Sequence, residues 1–210
     1  MKKRVDELFP TPIGVIDTEQ YELCQTYANI VLGTMSDIDK LELETYSNWC
    51  TQDNIHTSTV FAELVKMIDD TAKDFFEDVL GIDKDDMQLS SMWSNVNKRD
   101  TQHQIHQHPN SYFSGVLYLN APANSGNITF VDPRPTKNMA HADFKKESAV
   151  SYRSWEYTPA TGLLLLFPSW LEHGTARCRL LPTENRISLS FNYSLLKCSG
   201  HTMSFNFKAG

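Results

Sequence analysis

Three histidines fall close together in the run Gln102-His103-Gln104-Ile105-His106-Gln107-His108-Pro109, just ahead of an apolar, β-rich stretch. On an extended backbone, side chains at i and i+2 point the same way, so His106 and His108 can converge on one point, while His103 falls out of phase with them. A further imidazole, His173, follows Leu163-Leu164-Leu165-Leu166-Phe167-Pro168, where a buried strand ends in a proline and presents a histidine beside Gly174. Three imidazoles from two strand ends would make a facial set of metal ligands. Imidazole suits iron, zinc, copper and nickel alike, so the ligands do not choose the metal. The bland alternative is a polar strand end that happens to be rich in histidine.

Arg186 opens the stretch Arg186-Ile187-Ser188-Leu189-Ser190-Phe191-Asn192-Tyr193, in which polar and apolar residues alternate. One face of that strand is therefore polar. If it looks inward, a buried guanidinium needs a carboxylate partner, and the strand carries none. A ligand with a terminal carboxylate would serve, because guanidinium binds carboxylate through two parallel hydrogen bonds. A distant Asp or Glu, or an outward-facing arginine, is the other reading. Tyr118, on the strand after the histidine run, is a second candidate donor to such a carboxylate and otherwise a packing residue.

These residues need elements to hold them. Apolar residues recur at steps of three and four over 57–81, from Phe61, Leu64 and Ile68 through Ala72 and Phe76, which predicts an amphipathic helix stopped by Gly81. A weaker helix is expected over 19–32. The segment between the two, rich in Ser, Asn, Asp and Thr, reads as a loop. From residue 87 onward the pattern is one of short β-rich runs, over 87–97, 112–119, 127–131, 162–167, 186–193 and 203–207. Strands without helices between them imply an antiparallel sandwich or barrel, with the N-terminal helices covering one outer face. The expected fold class is α+β with a β-barrel or jelly-roll core, one domain over residues 1–210, mainly helical over 1–85 and β over 86–210. The stretch 134–157 is too long and irregular for a tight turn and reads as a functional loop.

The balance of 19 Lys+Arg against 26 Asp+Glu in 210 residues gives a net charge of −7, and the only basic cluster, Lys2-Lys3-Arg4, is followed at once by acids. Phosphate attachment needs clustered cations, so nucleic acid is not an expected partner. The longest apolar run, Leu163 to Phe167, is far short of a membrane span. Four cysteines at positions 24, 50, 178 and 198 form no close pair and read as reduced. With no apolar leader at the N-terminus, a reducing cytoplasm is the expected location. His56, His141 and His201 read as surface residues, and Trp93, Trp155 and Trp170 as core or rim aromatics, with Trp155 and Tyr157 available to a substrate lid.

Taken in order, HQHPNSYFSGVLYL, SGNITFVDPRP, LLLFPSWLEHGT and NRISLSFNY make the chain resemble the 2-oxoglutarate- and Fe(II)-dependent oxygenases, over roughly 93–193. Within them it is similar to a small group from marine bacteria and tailed phages, and its succession of motifs is similar to that of prolyl hydroxylases. The resemblance implies a double-stranded β-helix, the jelly-roll barrel also found in cupins. It implies His106 and His173 as the two family histidines, and Arg186 as the anchor of the far carboxylate of 2-oxoglutarate. Tyr118 falls where prolyl hydroxylases place an assisting tyrosine, and Ser188 and Ser190 match hydroxyl positions of some members. Fe(II), 2-oxoglutarate and O2, with ascorbate as an accessory reductant, are the implied cofactors. Hydroxylation of a small-molecule or peptide substrate, with release of succinate and CO2, is the implied activity.

One position departs from the family pattern, in which His-x-Asp/Glu is usual and a carboxylate stands where this chain has His108. Spacing favours His108 as the third ligand; Asp100 or Asp132 is the alternative. Two other readings stay open. A cupin-type metal protein also uses His-x-His and a distal histidine, although cupins normally have a Glu shortly after the pair, and 109–119 contains none. A non-enzymatic jelly-roll binding module is the other.

Overall fold

The structure is a computed structural model and describes residues 8–134 and 151–196, together with 4, 6, 143, 145 and 146. Its strands form two antiparallel sheets, as expected for a double-stranded β-helix. The larger has six strands in the order β1 (Gly14–Asp17), β8 (Leu163–Pro168), β5 (Phe113–Asn120), β10 (Arg186–Leu195), β3 (Met87–Asn97) and β2 (Asn48–Cys50). The smaller has four, β4 (His103–His106), β9 (His173–Thr175), β6 (Ile128–Val131) and β7 (Ser154–Tyr157).

Side-chain alternation sorts the large sheet into two faces. Phe113, Leu117 and Leu119 of β5, Ile187, Leu189, Phe191 and Tyr193 of β10, and Met92 and Val96 of β3 share one apolar core with the helices. Val116 and Tyr118 of β5 and Leu165 and Phe167 of β8 turn the other way, against Ile128 and Phe130 of the small sheet. This explains the unbroken apolar run of β8: a strand buried on both faces has no reason to alternate. Gly115 on β5 permits a close approach, because a Cβ there would sit 2.4 Å from the Phe191 ring and 2.8 Å from the carbonyl oxygen of Leu165.

Helix α1 (Tyr21–Thr34) buries Cys24, Tyr27, Ala28 and Val31, and α3 (Ala62–Asp78) buries Leu64, Ile68, Ala72 and Phe76. Phe76 packs edge-on against Phe113 and Tyr193, with ring centroids 5.3 and 5.1 Å apart. The helices therefore cover the outer face of the large sheet, as the sequence predicts. Gly81, at φ +65, ends α3: its N–H donates to the Glu77 carbonyl and that of Ile82 to Phe76. The start differs from expectation, since residues Ile55–Phe61 form two 3₁₀ turns instead of helix.

Two segments correct the sequence reading. The loop expected before residue 57 contains α2 (Asp37–Tyr46), opened by a capping box in which Ser36 Oγ accepts from Asp39 N–H and the Asp39 carboxylate accepts from Ser36 N–H. Its irregular composition hid a helix that Asp39 further fixes by accepting from the Trp49 indole at 2.9 Å. The irregular stretch 134–157 ends in a strand, β7, whose residues pair with β6 from Ile128↔Tyr157 to Val131↔Ser154. A four-residue edge strand with mixed charges carries too little alternation to be read. The strand expected over 203–207, and with it Cys198, His141 and His201, lies outside the described residues. Cys24, Cys50 and Cys178 are free thiols. Among the described residues no helix is long and apolar enough to cross a membrane.

Candidate active site

His106 and His173 face each other as cross-strand partners of β4 and β9. His108 follows two residues beyond, where its N–H donates to Ser169 O just past β8 and ties the small sheet to the large one. The three rings converge, with centroids 5.2 Å apart for His106 and His108, 4.5 Å for His106 and His173, and 5.0 Å for His108 and His173. Among the described residues these three form the one group of metal-ligating side chains, with ligand atoms all within 4.8 Å of one another.

Each ring is held by its outer nitrogen. Nδ1 of His106 lies 2.8 Å from Gln104 O, that of His173 2.8 Å from Leu171 O, and that of His108 2.7 Å from Asn192 Oδ1. Oxygens of this kind only accept, so each Nδ1 carries the proton and each Nε2 lone pair is free. Nε2 of His106 and Nε2 of His108 are 3.2 Å apart. Two lone pairs at that separation repel unless a cation lies between them. Two metal–imidazole bonds of about 2.1 Å at right angles would place their nitrogens about 3.0 Å apart, so the donor set fits a first-row metal ion. Burial lowers the proton affinity of two of the rings: His173 is brought down to about 4, and His108 is lowered mainly by desolvation. For His173 the neutral form a metal requires is therefore the resting one.

Neither carboxylate alternative joins the histidines. Asp132 is gripped by Arg134 at 2.9 and 2.7 Å, and Asp100 lies within 3.7 Å of Arg179 and 3.6 Å of Arg99.

The polar face of β10 looks into the barrel. Arg186 is 2% exposed, and its guanidinium donates to Ser125 O at 3.0 Å and Asn97 Oδ1 at 2.8 Å. Among the described residues it has no carboxylate partner, and its buried Nε finds no acceptor. A cavity of about 570 Å³, counting its open mouth, runs between the histidines and Arg186; Tyr118, Ser188, Ser190, Asn95 and Thr175 also line it. Tyr118 is buried, and burial pushes its hydroxyl up to about 12, so it stays a donor. Ser188 is buried, whereas Ser190 is partly exposed and accepts from Asn95 Nδ2 at 3.1 Å. One end thus collects imidazole lone pairs and the other an unneutralised cation.

His103 was expected to point away, yet it lines the same cavity. The pairing of β4 with β9 shifts register between His103 and His106, and that irregularity returns an odd-numbered offset to the inner face. Desolvation, followed by the positive charge of Arg186, lowers it to about 4. Sequence reasoning also passed over Asn97 and Asn192, whose partners are 89 and 84 residues away. Trp93 lies beside His108 on the cavity wall, while Trp155 and Trp170 are exposed, and His56 is half-buried rather than on the surface.

A family profile described as "Putative 2OG-Fe(II) oxygenase" matches residues 91–192, from β3 through most of β10, and so takes in the whole constellation. The match indicates a 2-oxoglutarate- and Fe(II)-dependent oxygenase. The protein is an oxidoreductase that uses Fe(II) as cofactor and 2-oxoglutarate as cosubstrate. Among solved structures the fold is similar to that of HygX from Streptomyces hygroscopicus with nickel and 2-oxoglutarate bound, at 16% identity and a TM-score of 0.60 over 88% of this chain and 83% of that one. A Pseudomonas putida prolyl-4-hydroxylase matches at 10% identity and a TM-score of 0.56, over 88% and 93% of the two chains. The viral collagen prolyl hydroxylase of Paramecium Bursaria Chlorella virus-1, in complex with 2OG, matches at 13% and 0.57, over 88% and 96%. No curated protein sequence matches the chain.

Proposed function

We propose that His106, His108 and His173 hold the Fe(II) of this oxygenase, that Arg186, Tyr118 and Ser188 receive the far carboxylate of 2-oxoglutarate, and that the enzyme hydroxylates a small molecule or peptide. The observation that carries the assignment is the pairing, in one cavity, of three inward Nε2 lone pairs with a buried arginine that has no carboxylate partner among the described residues. Ser190 adds a hydroxyl to the same wall. When bound there, Fe(II) supplies the oxygen activation that couples decarboxylation of 2-oxoglutarate, to succinate and CO2, with oxidation of the substrate. The chain's residues orient the cosubstrate between two fixed ends. Apolar Val116, Ile128 and Phe167 line the space between and limit water.

Outside the histidines a second hollow of about 700 Å³ opens to solvent, lined by Asp53, Ser91, Trp93, Gln107 and Pro109. Among the described residues it contains no lysine or arginine. Asp53 is held in place by its own carbonyl, which accepts from Met92 N–H at 2.8 Å. A neutral or cationic group resting on Trp93 suits this wall, and a prolyl ring is one such group. The chain is proposed to act as one catalytic unit, supported by the core that the N-terminal helices share with the large sheet. A reducing cytoplasm is proposed from the free thiols. The test is mass spectrometry of anaerobically loaded enzyme given O2, proline peptides and a small-molecule library. A product heavier by one oxygen, formed with stoichiometric succinate, is expected. Succinate without any oxidised product from any candidate would overturn the proposed substrate class.

A further inference from the structure

We infer that Asn192 is a positioning residue that makes His108 a competent metal ligand where the family pattern has a carboxylate; this rests on the ligand reading above. A carboxylate ligand needs no tautomer fixed. An imidazole does, because a proton on Nε2 would block the metal.

The Asn192 amide decides where that proton sits. Its Oδ1 accepts from His108 Nδ1 at 2.7 Å and from Ser114 Oγ at 2.7 Å, while its Nδ2 donates to Ser91 Oγ at 2.9 Å. Ser114 spends its one proton on Asn192, so the 2.7 Å contact between Ser114 and Ser169 requires Ser169 to donate. Ser114 and Ser169 are both fully buried. The chain of bonds therefore runs in one direction, from Ser169 through Ser114 to Asn192 Oδ1, and meets His108 Nδ1–H from the other side. Rotating the amide by half a turn would set its NH2 group against both donors. It would also drive the His108 proton to Nε2. Ser91, on the neighbouring strand β3, holds the orientation that prevents this.

His106 and His173 use main-chain carbonyls for the same task, at Gln104 and Leu171, so only His108 depends on another side chain. The polar atoms of the Asn192 side chain are taken up by His108 Nδ1, Ser114 and Ser91. Its effect passes through His108.

The test is anaerobic Co(II) affinity, read from visible absorption, in a double-mutant cycle. Asn192→Leu should weaken Co(II) binding by about 10- to 100-fold, the usual loss for such a partner. Asn192→Asp, which keeps the acceptor, should restore it. In a His108→Ala background, Asn192→Leu should have no further effect. Wild-type affinity in Asn192→Leu, or an equal loss in both backgrounds, overturns the inference. If Asn192→Leu does not fold, Ser91→Ala must still weaken binding, and unchanged affinity in that folded variant overturns it. The ligand reading fails separately, if His108→Ala alone binds Co(II) as tightly as the wild type.

Discussion

At the scale of single residues, charge decides what each group can hold. Three neutral imidazoles neutralise none of a divalent ion's charge, whereas a carboxylate in the His108 position would remove one unit. Arg186 is the complementary case, a cation without a carboxylate partner among the described residues. His173→Ala should abolish the turnover of 2-oxoglutarate to succinate in the absence of substrate, and retained turnover would refute its role. For Arg186→Met, each lost charge-assisted hydrogen bond is worth about 1.5–3 kcal/mol, so the requirement for 2-oxoglutarate should rise by about one to two orders of magnitude. An unchanged requirement in steady-state kinetics would remove Arg186 from the cosubstrate site. These two residues were legible in the sequence because their signals are local: a histidine after a buried strand and an arginine on a strand's polar face. His103 was not, because a register shift is invisible to a count of two. Asn192 was visible only as part of a polar face; its partner at 84 residues' separation is set by tertiary pairing.

Elements were legible where one face is apolar and the other polar, or where both are apolar. α3 and β10 announce themselves through period and alternation, and β8 through its unbroken apolar run. Short strands such as β4, β7 and β9 owe their existence to pairing, and propensity says little about them. α2 could have been found from its capping box, Ser36 to Asp39, which composition alone obscured. Burial leaves a clear prediction at Gly115: Gly115→Ala should cost about 1–3 kcal/mol, because the new methyl meets both a ring and a main-chain oxygen. A thermal midpoint equal to wild type would contradict that packing. Asp39 gives a pH prediction. Hydrogen bonds from the Ser36 hydroxyl, then the Ser36 N–H and the Trp49 indole, hold its carboxyl below the usual 3.8. A lowered folded value means the stabilisation is present above pH 3.8 and is lost as pH falls through that lowered value. The Trp49 indole N–H resonance should therefore shift below pH 3.8 in wild type, and in Asp39→Asn should lose that transition.

For the whole molecule, the two sheets divide the work. The large sheet, stiffened by helices on its outer face, carries Arg186, Tyr118, Ser188 and Asn192; the small sheet brings His106 and His173 across the cavity from it. Metal and cosubstrate would thus bridge two layers that otherwise meet through a modest apolar cluster around Phe130 and Phe167. The most direct measurement is an anaerobic crystal structure of the chain with Fe(II) and 2-oxoglutarate. One ion bonded to Nε2 of His106, His108 and His173 is expected, with the diacid's far carboxylate on the Arg186 guanidinium. An ion bound elsewhere, or a cavity that leaves Arg186 without the diacid at saturating concentration, would contradict the assignment.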